Sequence, residues 1–141
     1  MEGPMQRIER INYYYTVVPN KVGAGAKVFN ELKAQHVNLR AFNGFPLSAQ
    51  RSQLVLVPSS EVALVAAAQK AGIKLVGPKV AFLISEWEYV GAVADTLSKL
   101  EQAGVNVTAM QAIETGEWRY GAIIWVKPRY IDKAAQALGI S

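Results

Sequence analysis

The sequence predicts an α+β protein built from two similar units, each an antiparallel sheet with helices on one face. Three observations support this prediction. The chain contains an internal repeat, several segments alternate apolar and polar residues with the period of two that is typical of strands, and other segments show helical spacing. Strand and helix signals follow one another in the same order in both copies, which favours one fold used twice.

The internal repeat has a spacing of 68 residues. Shifted by that distance, residues 22–42 align with residues 90–110, and eight of the 21 positions are identical. A second match near the ends of the copies relates residues 67–73 to residues 134–140. We therefore expect a first unit at residues 1–77, of which 1–9 form an N-terminal extension, and a second unit at residues 78–141.

The first copy has the element order β-α-β-β-α-β. Residues 11–18 are rich in β-branched and aromatic side chains, which indicates a strand. An apolar stripe at helical spacing follows at Val22, Ala26, Phe29 and Leu32, and we expect His36 to end this helix in the left-handed region. The later strands are expected at residues 37–42, 54–57 and 73–76, with a second helix from Pro58 to Gly72.

The second copy repeats this order as far as its second helix. Strands are expected at residues 80–85, 105–110 and 122–126, the first helix carries the stripe Val90, Ala94, Leu97 and Leu100, and Gly104 ends it. The second helix is expected from Pro128 to Gly139. The order is that of a ferredoxin-like split β-α-β unit. The second unit lacks its last strand, so we expect that edge to stay open or to be filled by residues 7–10 or by a second chain.

Composition and motifs exclude several classes of function. The 141 residues include no cysteine, which excludes disulfides, thiolate metal sites and a cysteine nucleophile. One histidine supports no Ser-His-Asp arrangement, and the phosphate-binding G-x-x-x-x-G-K-S/T motif is absent. We therefore expect no enzyme, no metal and no cofactor. The apolar runs are shorter than the roughly 18 residues of a membrane span, so we expect a cytoplasmic protein with no membrane partner.

Nucleic acid is not an expected partner of this chain. The net charge is +4, and its lysines and arginines are scattered rather than clustered. RNA-recognition modules share this element order and stack bases on sheet aromatics, and Tyr13-Tyr14-Tyr15 lies in the first strand. However, the third strands of both copies lack the basic and aromatic signature of those modules.

The repeated unit resembles the ACT domain, a small ligand-binding regulatory module with this order of elements. The resemblance covers nearly the whole chain, twice. It rests on a polar loop with a glycine opening the first helix, and on a Val-Asn pair opening the second strand. These residues are Asn20-Lys21-Val22-Gly23 with Val37-Asn38-Leu39, and Glu88-Tyr89-Val90-Gly91 with Gly104-Val105-Asn106-Val107. Val22 and Val90 depart from the family pattern, which often has proline there.

The resemblance implies modules that join edge to edge and hold a small molecule, often an amino acid, at their interface. Carried over by position, the ligand contacts are expected from Asn20, Val22, Gly23, Ala24, Asn38, Glu88, Val90, Gly91, Ala92 and Asn106. The residues fit this chemistry, because a glycine at a helix N-terminus lets backbone N–H groups approach a carboxylate. A carboxylate such as Glu88 binds an ammonium, so the set suits a zwitterion.

We therefore expect a regulatory protein that binds an amino acid without catalysis, acts on an unidentified protein partner and forms a homo-oligomer through sheet edges. Glu86 and Glu88 stand where the first copy has Val18 and Asn20, so the two sites are expected to differ. Two alternatives stay open. One is a structural oligomerisation module with degenerate ligand sites, and the other is a single-stranded nucleic-acid binder.

Overall fold

The computed structural model describes residues 6–140 and has the α+β order that the sequence predicts. The strands are β1 (Gln6–Pro19), β2 (Leu39–Pro46), β3 (Arg51–Pro58), β4 (Val76–Trp87), β5 (Val107–Gly116) and β6 (Arg119–Val126). The helices are α1 (Ala24–Ala34), α2 (Glu61–Ala71), α3 (Ala92–Gln102) and α4 (Ile131–Ala137), the last preceded by a 3-10 turn at Pro128–Tyr130.

The chain divides into two compact modules. The first module comprises residues 12–79, and its strand order is β2-β3-β1-β4. Tyr14 of β1 and Phe42 of β2 both pair with Leu56 of β3 in antiparallel register. Side chains on this face pack against α1 and α2 to form the core, whose buried members are Tyr14, Val28, Leu32, Leu54, Leu56, Leu64 and Ala67.

The second module comprises residues 80–140 together with the segment 6–11 of β1. Its strand order is β1-β4-β6-β5, and Phe82 and Met110 both pair with Ile124. This register repeats that of the first module at a spacing of 68 residues. The segment 6–11 of β1 takes the place of the strand that the second copy lacks. Two contacts connect it to this module: Ile8 packs against the core, and Arg10 donates to Asp132 Oδ1 at 3.0 Å.

The starts of α1 and α3 differ from the sequence prediction. Both helices begin after a left-handed glycine, Gly23 or Gly91, so the preceding Val22 and Val90 lie outside the helices and are fully exposed. The predicted stripes are therefore wrong at their starts, whereas their last members, Leu32 and Leu100, are buried as predicted. In α1 the buried side chains are Val28 and Leu32, and in α3 they are Ala92, Thr96 and Leu100.

The helix ends follow the predicted rules with one further correction. His36 has φ +59° and Gly104 has φ +73°, which confirms a left-handed residue after each first helix. The second helix of the first module begins at Glu61 rather than at Pro58. Ser60 is its N-cap, and its hydroxyl accepts a hydrogen bond from the backbone N–H of Ala63 at 3.2 Å.

Replacing Gly77 by alanine is expected to destabilise the first module. A Cβ at Gly77, where φ is +139°, would lie 2.8 Å from the carbonyl oxygen of Tyr13 and 2.9 Å from Cδ2 of Tyr14. Gly72→Ala is the matched control, since Gly72 also has a positive φ but open space around it. In urea unfolding the control should lose about 1–2 kcal/mol, and Gly77→Ala about 1–3 kcal/mol more. Equal losses would contradict the close approach.

Candidate ligand-binding site

Each module has an open pocket beside the loop that links its first strand to its first helix. The second module's pocket has a volume of about 290 Å³ and is lined by Glu88, Tyr89, Gly91, Ala92, Val93, Ala94, Ala112, Ile113, Glu114 and Tyr120. The first module's pocket has a volume of about 260 Å³ and is lined by Val18, Pro19, Asn20, Lys21, Gly25, Gly44, Phe45, Pro46, Ser52 and Leu54. Seven lining residues of one pocket match those of the other at a spacing of 68 residues, so the repeat builds one cavity twice.

In the second module the structure brings three of the predicted site residues together. Glu88, Gly91 and Ala92 all line the pocket. Val90 does not, because its side chain lies fully in solvent before the helix. Asn106 is also absent from the lining, and it is exposed directly before β5.

In the first module only Asn20 of the predicted residues lines the pocket. Val22, Gly23 and Ala24 lie on the loop and first helical turn outside the lining. Asn38 is engaged elsewhere, since its Nδ2 donates to the Ser59 hydroxyl at 3.3 Å and its carbonyl accepts from the Ser59 N–H at 2.9 Å. The side chain of Asn38 thus ties the start of β2 to the turn before α2.

The expected ligand contacts did not include several residues that the structure places at the pockets. Lys21 and Tyr89 follow the predicted loop residues directly, whereas Glu114 and Tyr120 come from the β5–β6 hairpin. Glu114 pairs with Tyr120 across that hairpin. The turn signal at Glu114-Thr115-Gly116-Glu117 was the one sequence feature from which this pairing could have been found.

Two tyrosine hydroxyls connect the second pocket to carboxylates behind it. Tyr120 donates to Glu86 Oε2 at 2.7 Å, and Tyr89 donates to Asp95 Oδ2 at 2.9 Å. Glu86 is only 5 % exposed. Burial and the hydrogen bond to Glu86 raise the pKa of Tyr120, and the bond to Asp95 raises the pKa of Tyr89 to about 12. Both phenols therefore remain hydrogen-bond donors at neutral pH.

The loop that carries Glu88 is fixed by the neighbouring hairpin. The backbone N–H of Glu88 donates to the carbonyl of Trp118 at 2.6 Å. Glu117 and Trp118 have φ values of +54° and +63°, an uncommon conformation for residues other than glycine. Arg119 lies over the Trp87 ring at 4.3 Å and donates to Ser85 Oγ at 2.6 Å. These contacts hold both ends of the hairpin beside the loop of the pocket.

The helix-free face of the first module does not provide a base-stacking platform. Tyr15 pairs with Val55, and this row of side chains lies opposite the row that packs against the helices. Val55 and Val57 are 3 % and 1 % exposed, and Tyr13 and Tyr15 are half-buried. Bases stack on exposed aromatic faces, and this face offers two half-buried tyrosines beside buried valines, which counts against the nucleic-acid alternative.

Among residues 6–140, no three histidine, aspartate or glutamate side chains lie where they could hold a metal ion. None of the helices in the same range is long and apolar enough to cross a membrane.

Comparison with known proteins identifies the fold. No family model matches the sequence, and no curated protein matches it. Among solved structures, protein BT0572 from Bacteroides thetaiotaomicron has a TM-score of 0.81 at 20% identity, over 93% of this chain and 88% of that chain. The regulatory subunit of aspartate kinase from Thermus thermophilus has a TM-score of 0.63 at 18% identity, over 94% of this chain and 93% of that chain. The chain has the tandem ACT-type fold.

A third structure extends this result. The putative C-terminal regulatory domain of aspartate kinase from Porphyromonas gingivalis has a TM-score of 0.54 at 15% identity, over 94% of each chain. The match again spans nearly all of both chains, so it includes both ACT-type modules rather than one of them. The ACT-type fold of this chain is therefore one that regulatory modules of an enzyme adopt.

The raised pKa values at the second ACT-type pocket predict a loss of stability at alkaline pH. Folding favours the protonated phenols of Tyr89 and Tyr120, whereas the unfolded chain ionises near pH 10. The free energy of unfolding should therefore fall as pH rises above about 10. Urea unfolding between pH 8 and pH 11.5 measures this slope. The slope should be shallower in the double variant Tyr89→Phe/Tyr120→Phe, and an unchanged slope would contradict the assignment.

Proposed function

We propose that this chain is a regulatory protein that binds a small amino acid-like ligand in its repeated pockets and acts without catalysis. The observation that supports the proposal most strongly is the duplication of the cavity. Seven pairs of lining residues at a constant spacing place the same loop, helix start and hairpin around both pockets. Packing alone does not require a cavity at the same place in both modules.

The start of α3 offers a binding site for a carboxylate. Ala92, Val93 and Ala94 form its first turn and line the pocket. The first N–H groups of a helix have no partner within the helix. The Ala92 N–H donates to the carbonyl of Tyr89 at 3.2 Å, and no side chain caps the N–H groups of Val93 and Ala94. Gly91 leaves open space where a Cβ would stand. These N–H groups and the positive end of the helix dipole suit a ligand carboxylate.

The pocket residues favour binding over reaction. Neither pocket is lined by a histidine or a cysteine in the part of the chain that the structure describes. The tyrosines at the second pocket are held protonated by their carboxylate partners, so they donate hydrogen bonds and do not act as bases. This residue set supports a regulatory role for the chain, exerted on a protein partner that stays unidentified.

Strand β5 supports self-association through a sheet edge. It ends the strand order of the second module, and its ten residues include no lysine, arginine or proline. Lysine and proline are among the residues with which sheet edges avoid pairing with other chains. Irregular register is confined to the two ends of its pairing with β6. We expect the free side of β5 to pair with the same strand of a second copy.

A ligand screen tests the proposed binding function. The twenty amino acids are added to the full chain, and the melting temperature is measured. A ligand at a hundredfold excess over its Kd stabilises the folded state by about 2.7 kcal/mol. Ala94→Phe should fill the second pocket and remove one site, whereas Ala26→Phe, at the matching exposed position of α1, should leave binding unchanged.

Two results of this screen would contradict the proposal. One is a well-folded protein whose melting temperature no amino acid raises, which favours a structural oligomerisation module instead. The other is unchanged stoichiometry in Ala94→Phe by calorimetric titration, since a side chain of that size leaves little of a cavity of about 290 Å³.

Sedimentation velocity tests the proposed pairing of β5. Gln111→Lys places a charge on the exposed edge strand and should shift the protein toward the monomer. Asn43→Lys is the matched control, because Asn43 holds the equivalent position in β2, which ends the strand order of the first module. If both variants and the unmodified chain show the same distribution of sedimentation coefficients, β5 is excluded as the interface.

A further inference from the structure

We infer that the second module's pocket selects a ligand with a positively charged side group, and that the first module's pocket does not. This inference rests on the proposed function and names the class of ligand for one of its two sites. It follows from a comparison of equivalent positions in two cavities that share seven lining positions and differ in the charge of their side chains.

The linings of the two pockets carry opposite charges. The second pocket is lined by the carboxylates of Glu88 and Glu114 and by no lysine or arginine. The first pocket is lined by Lys21 and by no carboxylate. At the positions of Glu88 and Glu114 the first module has Asn20 and Pro46, so both carboxylates are missing from the otherwise equivalent cavity.

A buried carboxylate lies behind the second pocket without a counter-ion. Glu86 is 5 % exposed, and its Oε2 accepts a hydrogen bond from the Tyr120 hydroxyl at 2.7 Å. Among residues 6–140, no lysine or arginine forms an ion pair with Glu86. Tyr120 lines the pocket, so the Glu86 carboxylate lies next to the cavity wall. A cation in the cavity would supply the missing positive charge in surroundings that screen it less than water does.

The first module contains no counterpart of this network. The six positions equivalent to Glu86, Glu88, Tyr89, Asp95, Glu114 and Tyr120 are occupied by Val18, Asn20, Lys21, Lys27, Pro46 and Ser52. Every carboxylate is replaced by a neutral or basic residue. The same contrast extends over the modules, since residues 12–79 carry eight basic and two acidic groups, and residues 80–140 carry five basic and seven acidic groups. The difference is therefore consistent at every charged position rather than confined to one.

The geometry assigns the two ends of such a ligand to two parts of the pocket. The N–H groups at the start of α3 suit its carboxylate, and Glu88 and Glu114 suit its ammonium and charged side group. A cavity of about 290 Å³ accommodates one amino acid with a long side chain. The first pocket, with Lys21, would repel the same side group.

Calorimetric titration of the full chain with free L-arginine and L-citrulline tests the inference. Citrulline has nearly the same shape as arginine but lacks the side-chain charge. We expect arginine to bind at one site per chain and at least tenfold more tightly than citrulline. Glu88→Gln/Glu114→Gln should weaken arginine binding at least tenfold while leaving citrulline binding unchanged. Lys21→Gln, in the first pocket, is the matched control and should leave arginine binding at one site per chain.

Each contrary result identifies which proposal fails. Equal affinities for arginine and citrulline, or an unchanged arginine affinity in Glu88→Gln/Glu114→Gln, would overturn the charge selection. A neutral or acidic amino acid that binds where arginine does not, and whose binding Ala94→Phe removes, would overturn this inference while leaving the proposed function intact. If no amino acid binds at a concentration of about 10 mM, which would reveal even weak binding, both the proposed function and this inference fail.

Discussion

The two modules depend on two long strands, β1 and β4, because each contributes residues to both modules and the second copy of the repeat lacks one of the strands that its sheet needs. The segment 6–11 of β1 belongs to the second module, although it precedes the first copy in the sequence. A unit of about 65 residues buries only about 60% of its unfolded surface and is marginally stable alone. Contacts such as Ile8 on the second core and Gly77 against Tyr13 are therefore conditions for folding, since they join distant parts of the sequence within each module.

Both pockets lie beside a loop whose backbone conformation is the same in the two modules. In both modules the first helix starts after a glycine with φ near +90°, without a side-chain cap. The first N–H group of each helix, that of Ala24 or Ala92, donates to a carbonyl of the preceding loop, so the next N–H groups of the first turn are the ones without a partner within the helix. The same backbone conformation thus occurs twice, at the place to which the proposed function assigns a ligand carboxylate. What differs between the modules is the set of side chains at this place, so specificity can change without altering the fold.

The sequence predicted the fold because the repeat constrains it twice, whereas the site depends on contacts across strands. Alternation and turn signals fixed the strands, and His36 was correctly expected to be left-handed. The helical stripes were wrong at their starts because Val22 and Val90 are apolar residues that stay in solvent, whereas Leu32 and Leu100 are buried as predicted. Asn38 and Asn106 belong to a local motif outside the pocket lining. Glu114 and Tyr120 reach the pocket through the register of the hairpin, which the turn residues between them indicate only indirectly.

The burial of Glu86 connects the stability of the second module to its occupancy. A carboxylate removed from water is costly unless hydrogen bonds and an opposite charge compensate it, and here the Tyr120 hydroxyl donates a hydrogen bond to Glu86 without adding a positive charge. Replacing Glu86 by an apolar residue would remove that cost, and the equivalent position of the first module is indeed apolar, Val18. Under the proposed charge selection, a cation bound in the adjoining cavity would reduce that cost as well, but only while it stays bound. A ligand that binds only the folded state stabilises it by RT ln(1 + [L]/Kd), so the same proposal implies that a positively charged ligand would raise the stability of the second module rather than that of the first.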